Sequence, residues 1–414
     1  MSWWREARFG MFVHFGLYSI PGGEWKGQFV GSHEWMRNNA KVPHEEYIEL
    51  AQQFNPTRLD VDGIARLAKE AGQRYLVVTT KHHEGFSLFD SRHSAYDVMA
   101  TPYRRDIMRA FAESCRRHDM KLGWYYSIMD WYHPDYLPRR DWEARPALGA
   151  VFERYVRFMH AQLTELLTNY GEISVMWFDG QWESTWNHTL GQATYDLCRR
   201  LQPRVIMNNR VDVKPAGGDD RTLGGGMAGD YSTPELEVPA RGLPGQDWET
   251  CMTMIDNWGY AKDDENWKSP AKLIGLLVET ASKGGNLLLN VGPMGDGRVP
   301  QPSIDGLRAM GAWLRVNGDA IYGSRASLIE SPDCRTTTRG REVNVLVERW
   351  RPGPLSLAGL RGTPRHAFLL ADRRVEVPVR TTPDGMALVL PDRPPDPICS
   401  VVRIAFETPP SSRA

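Results

Sequence analysis

The sequence predicts a (β/α)₈-like, TIM-type barrel followed by a small antiparallel β-sandwich. From Phe9 to about Tyr322, short apolar runs alternate with helical patterns, the mark of a parallel sheet with crossover helices. After "VNGDAIYGS" (Val316–Ser324) the helical periodicity gives way to short alternating runs separated by Pro/Gly-rich turns, the pattern of an antiparallel all-β domain. The 414 residues, 41% of them apolar, are also more than one hydrophobic core usually organises, so two domains are expected. These readings divide the chain into a barrel over 1–322, a sandwich over 323–408 and a frayed tail over 409–414.

Six barrel strands are placed by their apolar runs: "GMFVHF" (10–15), "RYLVVTT" (74–80), "KLGWYYS" (121–127), "ISVMWF" (173–178), "RVIMNN" (204–209) and "NLLLNV" (286–291). A weaker seventh is expected near "GGMAGDY" (225–231), and the count of eight is inferred from the barrel itself. Between the third and fourth strands, Val151, Tyr155, Phe158 and Leu166 follow a helical period that ends at Gly171, a residue suited to a left-handed cap. Ser269-Pro270 predicts another helix start, with Leu273, Leu276, Leu277 and Ala281 on one face before Gly284-Gly285. The open doubly wound alternative is disfavoured, because no G-x-G-x-x-G follows the first strand and no P-loop occurs. In the second domain, strands are read at 342–350, 365–371, 386–391 and 398–406.

Fifty basic against fifty-one acidic residues leave a net charge of −1, which gives no global attraction to nucleic acid or anionic lipid and favours a neutral or small polar partner. The five cysteines, at 115, 198, 251, 334 and 399, are scattered and form no C-x-x-C pair, so they read as reduced packing residues. "MSWWREARFGMFVHFG" carries charges where a secretory signal has an apolar run, and no segment approaches the roughly 20 apolar residues of a membrane span. A cytoplasmic protein is the default expectation.

In such a barrel the chemistry sits where strands end at the carboxyl face. The predicted strands deliver there His14, His82 and His83, Tyr125 and Tyr126, Asp179, then Asn208, Asn209 and Arg210, with Trp25, Trp35 and Trp131 in nearby loops. Imidazoles, phenols, an arginine and a carboxylate beside aromatic faces suit a sugar, which offers hydroxyls at its edge and C–H surface on its faces. Adjacent histidines on one strand point to opposite faces, and no H-x-H or H-x-x-x-H spacing occurs. Neither a metal nor an organic cofactor is therefore expected. Retaining glycoside hydrolysis needs two carboxyl groups about 5–5.5 Å apart. Asp179 is the natural nucleophile, and alternation turns Phe178 away if Trp177 and Asp179 face inward. Its partner stays open among the loop glutamates Glu24, Glu34, Glu84, Glu183, Glu235, Glu237 and Glu249.

The ordered segments "FGMFVHFGLYSIP", "HEWMRNN", "TKHHEGFSLFDS", "WYYSIMDWYHPDY", "MWFDG", "NNR" and "WETCMTMIDNWGY" resemble those of the retaining alpha-L-fucosidases of glycoside hydrolase family 29. The resemblance spans about Trp4 to Val316. It implies a barrel exo-glycosidase that releases alpha-L-fucose from non-reducing ends through a fucosyl-enzyme intermediate, with Asp179 as nucleophile. It also implies Glu235 of "GDYSTPELE" as acid/base, with Glu237 and Glu249 as alternatives, and a fucose site of His14, Glu34, Trp35, His82, His83, Tyr126, Trp177, Arg210 and Trp258. The "WETCMT…WGY" segment is similar to that of members preferring alpha-1,3- or alpha-1,4-linked fucose on Lewis-type glycans. Two other readings compete: a fucose-binding relative with little turnover, and a metal-dependent barrel hydrolase.

Overall fold

The computed structural model describes residues 1–412. Its larger unit is a parallel sheet of seven strands: β1 (Phe9–Val13), β2 (Tyr75–Lys81), β3 (Lys121–Ser127), β4 (Val175–Asp179), β5 (Ile206–Met207), β6 (Glu249–Met252) and β7 (Asn286–Val291). They are ordered β5-β4-β3-β2-β1-β7-β6. The two edges of this curled sheet meet through an irregular segment, residues 231–235. It bridges in parallel to Asn208 on one side and to Trp248 and Cys251 on the other.

The strand predicted near 225–231 is thus displaced to this segment, and Glu249–Met252, read from the sequence as loop, is a strand. Each departure has its own cause. Pro234 has no N–H to donate and a run of glycines precedes the segment, so it never forms a regular ladder. The apolar length of "WETCM" is too short to signal a strand by itself.

Period-two alternation divides the strands between two cores. Phe12, Tyr75, Val77, Tyr125, Val175, Trp177, Ile206 and Leu288 fill the barrel, joined by Tyr231 and Cys251. Their neighbours Met11, Leu76, Trp124, Tyr126, Met176, Phe178 and Leu287 face outward beneath the helices. The predicted helix after β3 runs Phe152–Thr168, and Gly171 beyond it has φ +84°. Pro270–Ser282 starts where expected, with the Ser269 hydroxyl accepting from the Lys272 amide at 3.2 Å. The first helix, Ser2–Ala7, closes the base of the barrel: Trp4 packs on Tyr231 with centroids 4.7 Å apart, and the Trp4 carbonyl accepts from Asn286 at 2.7 Å.

Residues beyond Arg335 form a five-stranded and a three-stranded antiparallel sheet around a shared core of Val343, Val345, Leu357, Leu388, Val402 and Ile404, a β-sandwich. Within the expected tail, Ser411 and Ser412 pair with Arg361 and Leu360, and 413–414 lie outside the described residues. All five cysteines are free and buried. Among the described residues no helix is long and apolar enough to cross a membrane.

Glu84 is wholly buried behind the barrel mouth. It accepts from the Leu17 amide at 2.9 Å and from the Tyr47 hydroxyl, tying the loop after β1 to the loop after β2. Burial pushes its carboxyl up to about 7. A carboxyl raised in the folded protein above its ordinary 4.5 contributes most stability below that value, and the contribution is lost as pH rises through about 7. Glu84→Gln, which does not titrate, is therefore expected to gain on the unmodified protein by up to about 3 kcal/mol between pH 4.5 and 8. Urea midpoints at the two pH values measure this; parallel behaviour at both would show that folding does not raise the carboxyl above its ordinary value.

Candidate active site

The carboxyl ends of the strands open on a cavity of about 520 Å³. Asp179, the last residue of β4, stands at its floor. Its Oδ1 accepts from Arg210 Nη1 at 2.9 Å and its Oδ2 from the Tyr125 hydroxyl at 2.9 Å. Arg210 follows β5 in a single 3₁₀ turn, Asn209–Val211. Its guanidinium donates from Nε to the Thr233 hydroxyl at 3.0 Å and from Nη2 to Glu235 Oε2 at 2.6 Å, with Asp220 at 3.3 Å. It also lies over the Trp177 ring, 4.8 Å from the centroid. Burial opposes its charge, but Glu235, Asp179 and Asp220 together raise it well above the ordinary arginine value. Two nitrogens of one guanidinium therefore hold both candidate catalytic carboxylates, and the width of one side-chain head sets their spacing.

The histidines form the adjoining wall. β2 ends at Lys81, so strict alternation has already lapsed at His82 and His83, and both line the cavity. Asn290 donates from Nδ2 to the Trp258 carbonyl at 2.7 Å, which leaves its Oδ1 to accept from His14 Nδ1 at 2.7 Å. Ser127 likewise donates to the Met129 carbonyl at 2.6 Å and so accepts from His83 Nδ1 at 2.6 Å. Each of these two rings thus keeps its proton on Nδ1 and its lone pair on Nε2. His83 Nε2 lies 3.6 Å from Asp179 Oδ2, beyond hydrogen-bond length. Desolvation lowers all three: His14 to about 3, His82 and His83 well below the usual imidazole range, so the wall is neutral.

Glu34, Trp35 and Trp258 complete the ring. The Glu34 carboxyl is buried and pushed up to about 7, although the Gly259 amide donates to it at 3.3 Å. Trp35 stands edge-on to His83 at 5.0 Å, and Trp258 lies over His14 at 5.1 Å. Glu235 enters from the irregular segment 231–235, its side chain one-third exposed beside Arg210.

One expected residue belongs elsewhere. Tyr126 faces outward, where its hydroxyl donates to Gln162 at 2.8 Å and its ring packs on the Lys81 ammonium. The tyrosine in the cavity is Tyr125, because it pairs in register with Trp177, whereas Tyr126 pairs with the outward Phe178. The alternatives to Glu235 also lie outside the cavity. Glu237 is half-exposed, 3.7 Å from Arg221, and Glu249 is enclosed in the barrel interior. Glu84 sits behind the wall, as described above. Residues the sequence does not single out for the site include Asn290, which holds His14, and Asp220 and Trp182, which line the cavity. Asn290 was detectable as a polar residue two places after Leu288 in an apolar strand, on the inward face; Asp220 and Trp182 lie on loops that carry no periodicity.

The family model for alpha-L-fucosidase matches residues 1–319. The chain is 30% identical over 418 residues to the tissue alpha-L-fucosidase of Bos taurus, covering 95% of this chain and 85% of that one. It is 33% identical over 344 residues to the plasma alpha-L-fucosidase of Rattus norvegicus, covering 78% and 70%. Among solved structures, alpha-L-fucosidase isoenzyme 1 from Paenibacillus thiaminolyticus aligns with a TM-score of 0.88 at 38% identity over 98% of each chain. A GH29 alpha-L-fucosidase from Bacteroides thetaiotaomicron, trapped as a covalent intermediate, aligns at 0.87 and 32% over 98% and 95%. Barrel, sandwich and the extent of these matches agree, and the chain belongs to the alpha-L-fucosidase family.

Proposed function

We propose that this chain is an exo-acting, retaining alpha-L-fucosidase working by double displacement. The observation that carries the reading is the Arg210 guanidinium, which presents Asp179 and Glu235 together to one cavity walled by imidazoles and indoles. Asp179 attacks the anomeric carbon of a bound fucoside while Glu235 protonates the departing oxygen, forming a fucosyl ester and a free alcohol. Glu235 then takes a proton from water as that water displaces the ester, which releases fucose with its configuration retained. Since Oε2 of Glu235 is held by Arg210, Oε1 is the oxygen left for this proton. His14, His82, His83 and Glu34 bond the ring hydroxyls, and Trp35 and Trp258 pack against the exocyclic methyl group. The trapped intermediate of the Bacteroides thetaiotaomicron relative supports the two-step course.

For the leaving group we propose alpha-1,3- or alpha-1,4-linked fucose on branched, Lewis-type oligosaccharides, from the resemblance of the "WETCMT…WGY" segment. A relative at 33% identity was solved with Fuca(1,6)GlcNAc, and this supplies the contrast. Release from a Lewis-type trisaccharide is expected to exceed release from that disaccharide; the opposite order overturns the linkage reading.

On an aryl alpha-L-fucoside, Asp179→Ala is expected to lose turnover by several orders of magnitude, even with a good leaving group. Glu235→Ala should keep activity on the activated substrate and be accelerated by azide, since an external nucleophile needs no general base. Azide rescue of Glu237→Ala instead would reassign the acid/base. Loss of activity on adding a chelator would favour the metal-dependent hydrolase, and fucose affinity with no turnover the binding relative. The inward tyrosine supplies a separate check. Tyr125→Phe removes a hydrogen bond to the nucleophile and is expected to lower kcat about 10- to 100-fold, whereas Tyr126→Phe leaves kcat unchanged and lowers the melting temperature.

A further inference from the structure

Beneath Trp177, inside the barrel, β6 carries one carboxylic acid among apolar neighbours. Glu249 is fully buried, in a layer otherwise built from Val77, Val175, Ile206, Leu288 and aromatic rings. A leucine would fill such a position without the desolvation penalty that a carboxyl carries there, so the carboxyl needs a reason. Its Oε2 accepts from the Tyr75 hydroxyl. Tyr75 reaches it only because residue 10 is glycine: a Cβ on Gly10 would lie 2.4 Å from the Tyr75 ring. Three further donors turn toward the carboxyl, the indole N–H groups of Trp4 and Trp177 and the Tyr231 hydroxyl. All three are buried, and among the described residues neither they nor Glu249 Oε1 forms a complete hydrogen bond with any partner, which leaves four buried polar atoms unpaired in this layer, three donors and the one carboxyl oxygen that can serve them.

Trp177 connects this cluster to the cavity. Arg210 rests on its ring, and Tyr125 stacks beside it with centroids 5.6 Å apart and planes 19° from parallel. These are the two groups that donate to Asp179. A rotation of the Trp177 indole would therefore displace both supports of the nucleophile together. Of the donors around Glu249, the Trp177 N–H is the one whose ring also lines the cavity.

We propose that Glu249 is a positioning residue for the active site, acting through Trp177. Its carboxyl anchors the indole N–H from below, so that the ring offers Arg210 and Tyr125 a fixed surface from which to hold Asp179. The proposal rests on the reading of Asp179 as nucleophile, and its test includes a readout that does not depend on that reading.

The test compares Glu249→Gln, Glu249→Asp and Glu249→Leu in the full chain. Gln keeps an acceptor at the same reach; Asp keeps the carboxyl but withdraws it by one methylene; Leu removes it. Hydrolysis of an aryl alpha-L-fucoside gives kcat and KM, thermal melting gives stability, and the ¹⁵N-labelled indole resonance of Trp177, assigned by its loss in Trp177→Phe, reports the N–H directly. Gln is expected to preserve the resonance and to keep kcat within about threefold, while Asp and Leu shift the resonance and lower kcat about tenfold or more, a loss of about 1.4 kcal/mol in barrier terms. If the Leu variant does not fold, Asp carries the same expectation. An unmoved Trp177 resonance in the Asp variant overturns the proposal, as does a fall in kcat that is equal in Gln and Asp and tracks melting temperature. If the unmodified protein does not hydrolyse the fucoside, the functional reading fails, and the resonance still decides whether Glu249 holds Trp177.

Discussion

Arg210 is almost without solvent contact, and an unpaired charge there would be strongly destabilising. It is compensated by Asp179, Glu235 and Asp220, by the Thr233 hydroxyl and by the face of Trp177. These groups come from the end of β4, from the loop at 220 and from the segment at 231–235, while Arg210 itself follows β5. Satisfying one guanidinium thus fixes four separate pieces of backbone relative to one another. It also explains how the least regular part of the barrel can carry a candidate catalytic group. Residues 231–235 form isolated bridges rather than a ladder, yet Thr233 is pinned through both its hydroxyl and its carbonyl to Arg210, and Glu235 follows two residues later.

What the sequence made legible divides along the same line. Strands whose residues alternate between two apolar environments are readable, because both faces of a parallel barrel strand are buried and the run is long. "KLGWYYS" and "NLLLNV" emerge with the expected boundaries. The same alternation decides between Tyr125 and Tyr126, but only through registration to Trp177 on the neighbouring strand. Register across strands is a tertiary fact, and two adjacent tyrosines contain no local signal for it. The carbohydrate-type cluster itself was legible by residue type, since polar and aromatic side chains at the ends of apolar runs have little structural reason to recur.

The glutamates show where reading one residue at a time stops. Glu235 and Glu249 both follow short segments with weak periodicity, and both look like loop residues. One reaches the mouth and the other the interior because β6 is a true strand whose odd residues point inward: Glu249 and Cys251 share the barrel core. Glu84 is a third case, adjacent to His83 in sequence and yet turned behind the wall to hold Leu17 and Tyr47. Burial, rather than proximity to the site, raises the latter two carboxyls to about 7. A perturbed carboxyl is therefore a poor marker of catalysis in this barrel unless it also faces the cavity.

The protonation of the wall bears on what the cavity accepts. His14 and His83 spend their Nδ1 protons on Asn290 and Ser127, and desolvation keeps both rings neutral. Each therefore presents an acceptor, as do Asp179 and Asp220. The cation among them, Arg210, is already shared by three carboxylates. A ligand rich in hydroxyl donors satisfies such a surface. A sugar bearing a carboxylate or phosphate would set its own acceptors against these, with a guanidinium already engaged, and would lose its hydration without replacement. On the function proposed above, a neutral wall of this kind suits a polyol, and the indoles of Trp35 and Trp258 would add an apolar surface on which a methyl group is better accommodated than a hydroxymethyl.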